Sequence, residues 1–392
     1  MRTQYIITLL VLLSLGSGCS DDNTQTAPKT NNDTMCPEGQ QRNPISQKCV
    51  STAKDMARDI TADLTEDMTI TDQGPADMPP PKGDMAATDM AGDMTTLDMP
   101  DMMMDMPPVM EVRRFVAIGD TGTGSDMQIK VGQSIGKACL DLGGCDFGML
   151  LGDNAYDSGF DDENDPKFVD FFERPYGHLG FPFYAVLGNH DLGGNGLGVS
   201  LDFKKGDYQV LYGQRNPQWK MPAKHYQVQE GPVWMVGLNT TDIFFDRDRD
   251  QRRDVQGWLN NAPQRGWKIA FGHHPYISNG PHGNAGRYEG LPFVPIANGE
   301  HVQSFMEDLV CAQFDIYLCG HDHNVQDLKK ICGTEFIVSG AGAKTTDLEG
   351  TNPVHYESDE PGFVILEATE RKMILRFYDQ DAVLKHTRTL VR

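Results

Sequence analysis

FVAIGDTGTGSDMQIKVGQSIGKACLDLGGCDFGMLLGDNAY, residues 115 to 156, decides the fold. Phe115-Val116-Ala117-Ile118 is a short apolar run that stops at Gly119-Asp120, and Phe147 to Leu151 is a second one that stops at Gly152-Asp153. Between them, Met127 to Leu140 places its apolar residues at helical spacing. That is a β-α-β unit with an aspartate at the carboxyl end of each strand, where open α/β sheets carry their sites. The same scheme is expected at Phe183 to Leu187, Lys268 to Phe271 and Ile316 to Cys319. Beyond them, Phe336 to Val338, Gly362 to Glu367, Met373 to Tyr378 and Val383 to Leu390 alternate like antiparallel strands.

Each of these runs is followed by side chains that ligate metals. In chain order come Gly119-Asp120-Thr121-Gly122, Gly152-Asp153-Asn154-Ala155-Tyr156, Gly188-Asn189-His190-Asp191, Gly272-His273-His274-Pro275, Pro281-His282-Gly283 and Gly320-His321-Asp322-His323. Gly119-Asp120-Thr121-Gly122 alone reads as a capping or turn sequence, whereas Gly320-His321-Asp322-His323, with two imidazoles at i and i+2 that are costly to leave idle, and Gly188-Asn189-His190-Asp191 carry more weight singly. Together they supply what a pair of cations about 3.5–4 Å apart requires, namely oxygen and nitrogen donors converging from several elements. Asp120 and Asp153 offer carboxylates, with Asp153 the natural bridge, Asn189 a neutral carbonyl, and His273, His321 and His323 imidazoles. Tyr156 lies three residues past Asp153, where a loop can turn its phenolate onto the same centre, and phenolate favours a trivalent metal.

This order of motifs resembles the calcineurin-like metallophosphoesterases, and Tyr156 narrows the resemblance to purple acid phosphatases of the short, tartrate-resistant branch. The resemblance spans roughly residues 111 to 392 and includes Val338-Ser339-Gly340-Ala341-Gly342. It implies an α/β fold of the α/β/β/α sandwich type, two mixed sheets face to face and flanked by helices. It further implies hydrolysis of phosphate monoesters by a metal-bound hydroxide. Asp120, Asp153, Tyr156 and His323 would hold Fe(III), and Asp153, Asn189, His273 and His321 a divalent Fe, Zn or Mn. By the same resemblance His190 contacts the phosphate with Asp191 orienting its ring, and His282 is the candidate proton donor to the leaving alkoxide. His274 stands where the family pattern has an aromatic residue and is expected to pack. Two other function classes stay open: a phosphodiesterase or nucleotidase of the same superfamily, for which Tyr156 would be a packed aromatic, and a non-catalytic surface-binding lipoprotein.

Composition sets further bounds. The chain has 392 residues and a formal charge of −22. Residues 1 to 50 balance at four acidic and four basic, residues 51 to 110 hold 13 acidic and 3 basic, and the remaining −12 falls on residues 111 to 392. No segment is basic enough for nucleic-acid binding to be its main task; the expected partner is a small phosphoester, and the expected state a monomer.

The N-terminus reads as an address. Arg2, the apolar stretch Ile6 to Leu15, and Leu15-Gly16-Ser17-Gly18-Cys19 resemble a bacterial lipoprotein signal, with Cys19 the lipidated residue. Residues 1–19 are thus expected to be a leader and 20–53 a short Cys-containing segment. Residues 54–110, with Asp-Met repeated irregularly among Thr, Ala and Pro, are expected to be a disordered acidic stalk, because so little apolar burial cannot offset the ordering entropy. The expectation is an enzyme tethered in the bacterial cell envelope, at the outer membrane or else secreted, in an oxidising compartment. Pairings of Cys36 with Cys49, Cys139 with Cys145 and Cys311 with Cys332 would leave Cys319 as a buried thiol.

Overall fold

The computed structural model describes residues 41–42, 49–50, 111–193, 201–286 and 298–392. The expected leader, the expected stalk and the expected pairing of Cys36 with Cys49 lie outside the described residues. Two units divide the chain, Met1–Pro100 and Asp101–Arg392. In the first, β1 (Gln41–Arg42) pairs antiparallel with β2 (Cys49–Val50).

In the second unit, the predicted β-α-β unit is β3 (Arg113–Ile118), α1 (Asp126–Asp141) and β4 (Phe147–Leu151). Ser125 caps α1, its side chain accepting the Gln128 N–H at 3.3 Å, and Asp126 adds a favourable charge in the first turn. A disulfide from Cys139 to Cys145 ties the end of the helix to the approach of β4. Parallel pairing continues from β4 to β5 (Phe183–Val186) and β6 (Trp219–Lys220). On its other side β3 pairs antiparallel with β14 (Gly362–Ala368), which leads through β15 (Lys372–Asp379) to β16 (Leu384–Val391), completing a seven-stranded mixed sheet.

A second seven-stranded sheet has the order β13 (Val354–Ser358), β11 (Val325–Leu328), β12 (Glu335–Ser339), β10 (Ile316–Cys319), β9 (Trp267–Phe271), β8 (Val233–Gly237), β7 (Tyr226–Glu230). Here one expectation is corrected. The segment around Phe336 runs parallel to β10 and is antiparallel only to β11. All five of its residues are buried, which suits a central position covered on both faces.

Alternation along the second sheet shows how the layers meet. Met235, Ile269, Phe271, Ile316, Leu318 and Ile337 join the core of the first sheet, so the two sheets pack face to face. Their neighbours Val236, Ala270, Tyr317, Cys319, Phe336 and Val338 face the other way. There they meet helices α2 (Arg249–Asn260) and α3 (Gly299–Phe305) through Val255, Val302 and Phe305. A second disulfide, Cys311 to Cys332, joins the segment before β10 to the turn before β12, and Cys319 remains a buried thiol. Among the described residues no helix is long and apolar enough to cross a membrane.

Candidate metal centre

The carboxyl ends of β3, β4 and β5 in one sheet and of β9 and β10 in the other deliver Asp120, Asp153, Asn189, His273 and the His321–His323 pair to one place. Asp120, Asp153 and His321 each carry a positive φ, at 58°, 52° and 71°. Such backbone is sparsely populated by non-glycine residues and turns each side chain sharply off its strand. Two glycines let the carboxylates settle: a Cβ at Gly188 would overlap Asp153 Oδ1, and one at Gly320 would overlap Asp120 Oδ2.

Two groups of donor atoms adjoin. In one, the Tyr156 hydroxyl lies 3.1 Å from Asp120 Oδ1 and 3.1 Å from His323 Nε2, which is itself 3.5 Å from Asp120 Oδ1. In the other, His273 Nε2 lies 2.9 Å from Asn189 Oδ1, 3.0 Å from His321 Nδ1 and 3.5 Å from Asp153 Oδ2. Ligand atoms of Asp120, Asp153 and His273 all lie within 4.8 Å of one another, and the three residues are almost wholly shielded from solvent. The His321 N–H donates to Asp120 Oδ2 at 2.8 Å, joining the two sheets across the centre.

The donor chemistry fits cations. His273 Nδ1 donates to the Leu151 carbonyl at 3.0 Å, so its Nε2 presents a lone pair to the Asn189 oxygen and to a carboxylate unless a positive charge stands there. Burial opposes a charged imidazole at His273, but Asp153 and Asp120 outweigh it and move the ring toward its protonated form. Burial likewise opposes an ionised Asp120, yet His273 and His323 hold its carboxyl below the ordinary range. At Tyr156, burial and then the charges of Asp120 and Asp153 push the hydroxyl well above the usual tyrosine range. A phenolate at this place therefore needs strong positive charge beside it.

Other predicted residues sit around this centre in different ways. His190 Nδ1 donates to the Asp157 carbonyl at 2.7 Å, and its ring lies 4.6 Å from that of Tyr156. The expected orientation of this ring by Asp191 is therefore corrected. Asp191 is fully buried and accepts the N–H groups of Asn154, Ala155 and Gly188 at 3.0, 3.0 and 2.8 Å, so it shapes the loop that carries Asp153. Burial and the neighbouring Asp153 push its carboxyl up to about 7. His282 packs tilted against His321, 4.0 Å between ring centroids, and its N–H donates to Asp322 Oδ1 at 3.0 Å. His274 packs flat on Phe244, as expected of an aromatic position.

Three neighbours received no role from the sequence. Thr240 Oγ1 accepts the N–H groups of both His273 and His274, Asp322 anchors the loop of His282, and Lys344 lies over the Tyr156 ring. Asp322 was visible as the residue between the two histidines of its motif, and Lys344 as a cation two residues beyond Gly340-Ala341-Gly342. Thr240 had no signal, since it stands 33 residues before His273 in an unremarked segment.

Known proteins resemble this chain in sequence and in fold. The family model for calcineurin-like phosphoesterases matches residues 113–325. Human tartrate-resistant acid phosphatase type 5 is 26% identical over 305 residues, covering 68% of this chain and 87% of the relative. Purple acid phosphatase 3 of Arabidopsis thaliana is 28% identical over 295 residues, covering 68% and 74%. Two solved structures share the fold. GAP50, the anchor in the inner membrane complex of Plasmodium, has a TM-score of 0.56 at 20% identity, covering 71% of this chain and 89% of that one. A purple acid phosphatase from yellow lupin seeds has 0.54 at 18%, covering 72% and 54%. The chain belongs to the calcineurin-like phosphoesterase family, as an acid-phosphatase-like member.

Proposed function

We propose that this chain hydrolyses phosphate monoesters at a dinuclear metal site lying between its two sheets. Asp120, Asp153, Tyr156 and His323 would hold Fe(III), and Asp153, Asn189, His273 and His321 a divalent Fe, Zn or Mn ion. Bound there, the two cations supply charge neutralisation at phosphorus and a water acidified enough to act as nucleophile near neutral pH. The protein's own part is positioning. The backbone bond from His190 Nδ1 fixes that ring beside Tyr156 and leaves Nε2 as the atom to meet a phosphate oxygen. His282, on the loop held by Asp322, delivers a proton to the leaving oxygen.

The observation that carries this reading is the Tyr156 hydroxyl, 3.1 Å from a carboxylate and 3.1 Å from an imidazole. The relatives named as tartrate-resistant and purple acid phosphatases support it. The purified protein loaded with iron should show visible charge-transfer absorption that Tyr156→Phe abolishes, and it should prefer monoesters to diesters. In the same substrate panel, His282→Ala should harm alkyl phosphates far more than nitrophenyl phosphate. A colourless iron-loaded protein that prefers diesters would place the chain with the phosphodiesterases instead, and one that takes up no metal would favour the surface-binding alternative.

The cellular setting belongs to the same proposal. Residues 111–392 would be the catalytic domain, carried on the acidic stalk from a lipid on Cys19 in a bacterial envelope. Two disulfides within the described residues fit an oxidising compartment.

A further inference from the structure

Lys344 projects from the loop that follows β12, and both sides of it are pinned to the centre. Gly342 N–H donates to the Gly119 carbonyl at 3.2 Å, immediately before Asp120, and Thr346 N–H donates to the carbonyl of His323 at 2.9 Å. Between these anchors the Lys344 ammonium lies 3.5 Å from the centroid of the Tyr156 ring. The same ring takes part in the candidate centre through its hydroxyl and is flanked by His190. Elsewhere on this acidic chain lysines meet carboxylates, as Lys167, Lys205 and Lys385 do. Lys344 forms no ion pair among the described residues and rests, half-buried, on an aromatic face. A cation–π contact holds an ammonium in place without neutralising it. Its charge therefore stays available to an incoming anion, beside the ring that His190 and His323 flank.

We propose that Lys344 is a substrate-contact residue, donating to a non-bridging oxygen of the phosphoryl group that is transferred. This rests on the phosphomonoesterase reading. Because the contact is to the phosphoryl group, its contribution is independent of the leaving group and persists in complexes with inorganic phosphate. A purely structural lysine would instead act through the position of Tyr156, and its loss would alter metal uptake.

Lys344→Met keeps the length and apolar stem that cover the ring and removes the charge. Inorganic phosphate is titrated calorimetrically into metal-loaded wild-type and variant proteins, with metal content and visible absorption recorded on the same samples. The expected result is unchanged metal content, phosphate affinity lowered roughly 10-fold to 100-fold, and kcat/KM lowered by a similar factor for nitrophenyl and alkyl phosphates alike, as for a lost charge-assisted hydrogen bond. Lys344→Arg should recover part of the affinity. Phosphate affinity within about twofold of wild type, or a loss confined to substrates with a second anionic group, overturns the assignment. So does a loss explained by reduced metal content. Wild-type protein that takes up metal but cleaves no monoester refutes the reading on which the proposal rests, an outcome separate from any behaviour of the variant.

Discussion

Two clusters of buried acid bridge the two sheets, and they solve the same electrostatic problem differently. On β11 and β12, Asp327 and Glu335 face Arg388 of β16. The guanidinium donates to both oxygens of Asp327, at 2.7 and 2.5 Å, and to Glu335 at 2.9 Å. There the cation is part of the chain, and its planar fork satisfies the acids. At the candidate metal centre, Asp120 and Asp153 are equally buried, yet among the described residues no arginine or lysine pairs with either. Their neighbours are imidazoles, an amide oxygen and a phenol, which are donors suited to a metal. A buried carboxylate pair whose counter-charges are only imidazoles that must take up a proton costs stability, the cost expected of a site kept for an external cation.

Substituting both clusters tests this contrast, with the largest effect expected at the centre. Asp153→Asn removes the proposed bridging charge while keeping the shape, and activity should fall by about 10³-fold, the upper range for losing one electrostatic contact to a transition state. Metal-free stability should stay level or rise, because one of several crowded acids is gone. Metal should raise the melting temperature of the wild type, where ligand at 100 times Kd contributes about 2.7 kcal/mol, and should not raise that of the variant. Thermal unfolding with and without chelator reads this directly. If Asp153→Asn instead destabilised the metal-free protein strongly, the centre would be a structural network like the other one.

Arg388→Met should do the reverse. It leaves Asp327 fully buried with only the His386 ring beside it, Nε2 at 3.4 Å, and breaking a buried pair from one side costs about 3–5 kcal/mol. Denaturant unfolding should show that loss, while metal content and kcat of the folded fraction stay near wild type. Replacing Asp327 by Leu in the same chain should recover much of the stability, since the penalty lies in the orphaned charge.

The contrast also explains what the sequence made legible. Asp120, Asp153, Asn189, His273, His321 and His323 were readable because each follows an apolar run, and strand ends gather where parallel strands share a direction. The partners of Arg388 had no such signature, because they meet across sheets through strands far apart in the chain. Asp191 was misread for a related reason. Its adjacency to His190 suggested a partner, but the backbone of the 188–191 turn directs the carboxylate at the N–H groups of Asn154, Ala155 and Gly188. The position of Phe336 beside β10 was hidden too, since an apolar run does not reveal which strand it will join.

The smallest expected effect concerns the residue that orients the second sheet's contribution to the centre. Thr240 is fully buried, and its Oγ1 accepts from His273 N at 3.1 Å and His274 N at 3.0 Å. Both lone pairs being used, the hydroxyl hydrogen points to His274 Nδ1 at 2.9 Å. Thr240→Val keeps the shape and strands two buried N–H groups, so stability should fall by about 1–3 kcal/mol. That loss is smaller than for Arg388→Met because no net charge is orphaned. The same change frees the His273 backbone, and metal affinity measured against a competing chelator should fall roughly 10-fold, as for other groups that orient a ligand. Thr240→Ser, which restores the oxygen without the methyl group, should recover the affinity more fully than the stability. Equal recovery of both, or affinity unchanged in Thr240→Val, would mean that the β9 strand end alone fixes His273 and that Thr240 contributes only to packing.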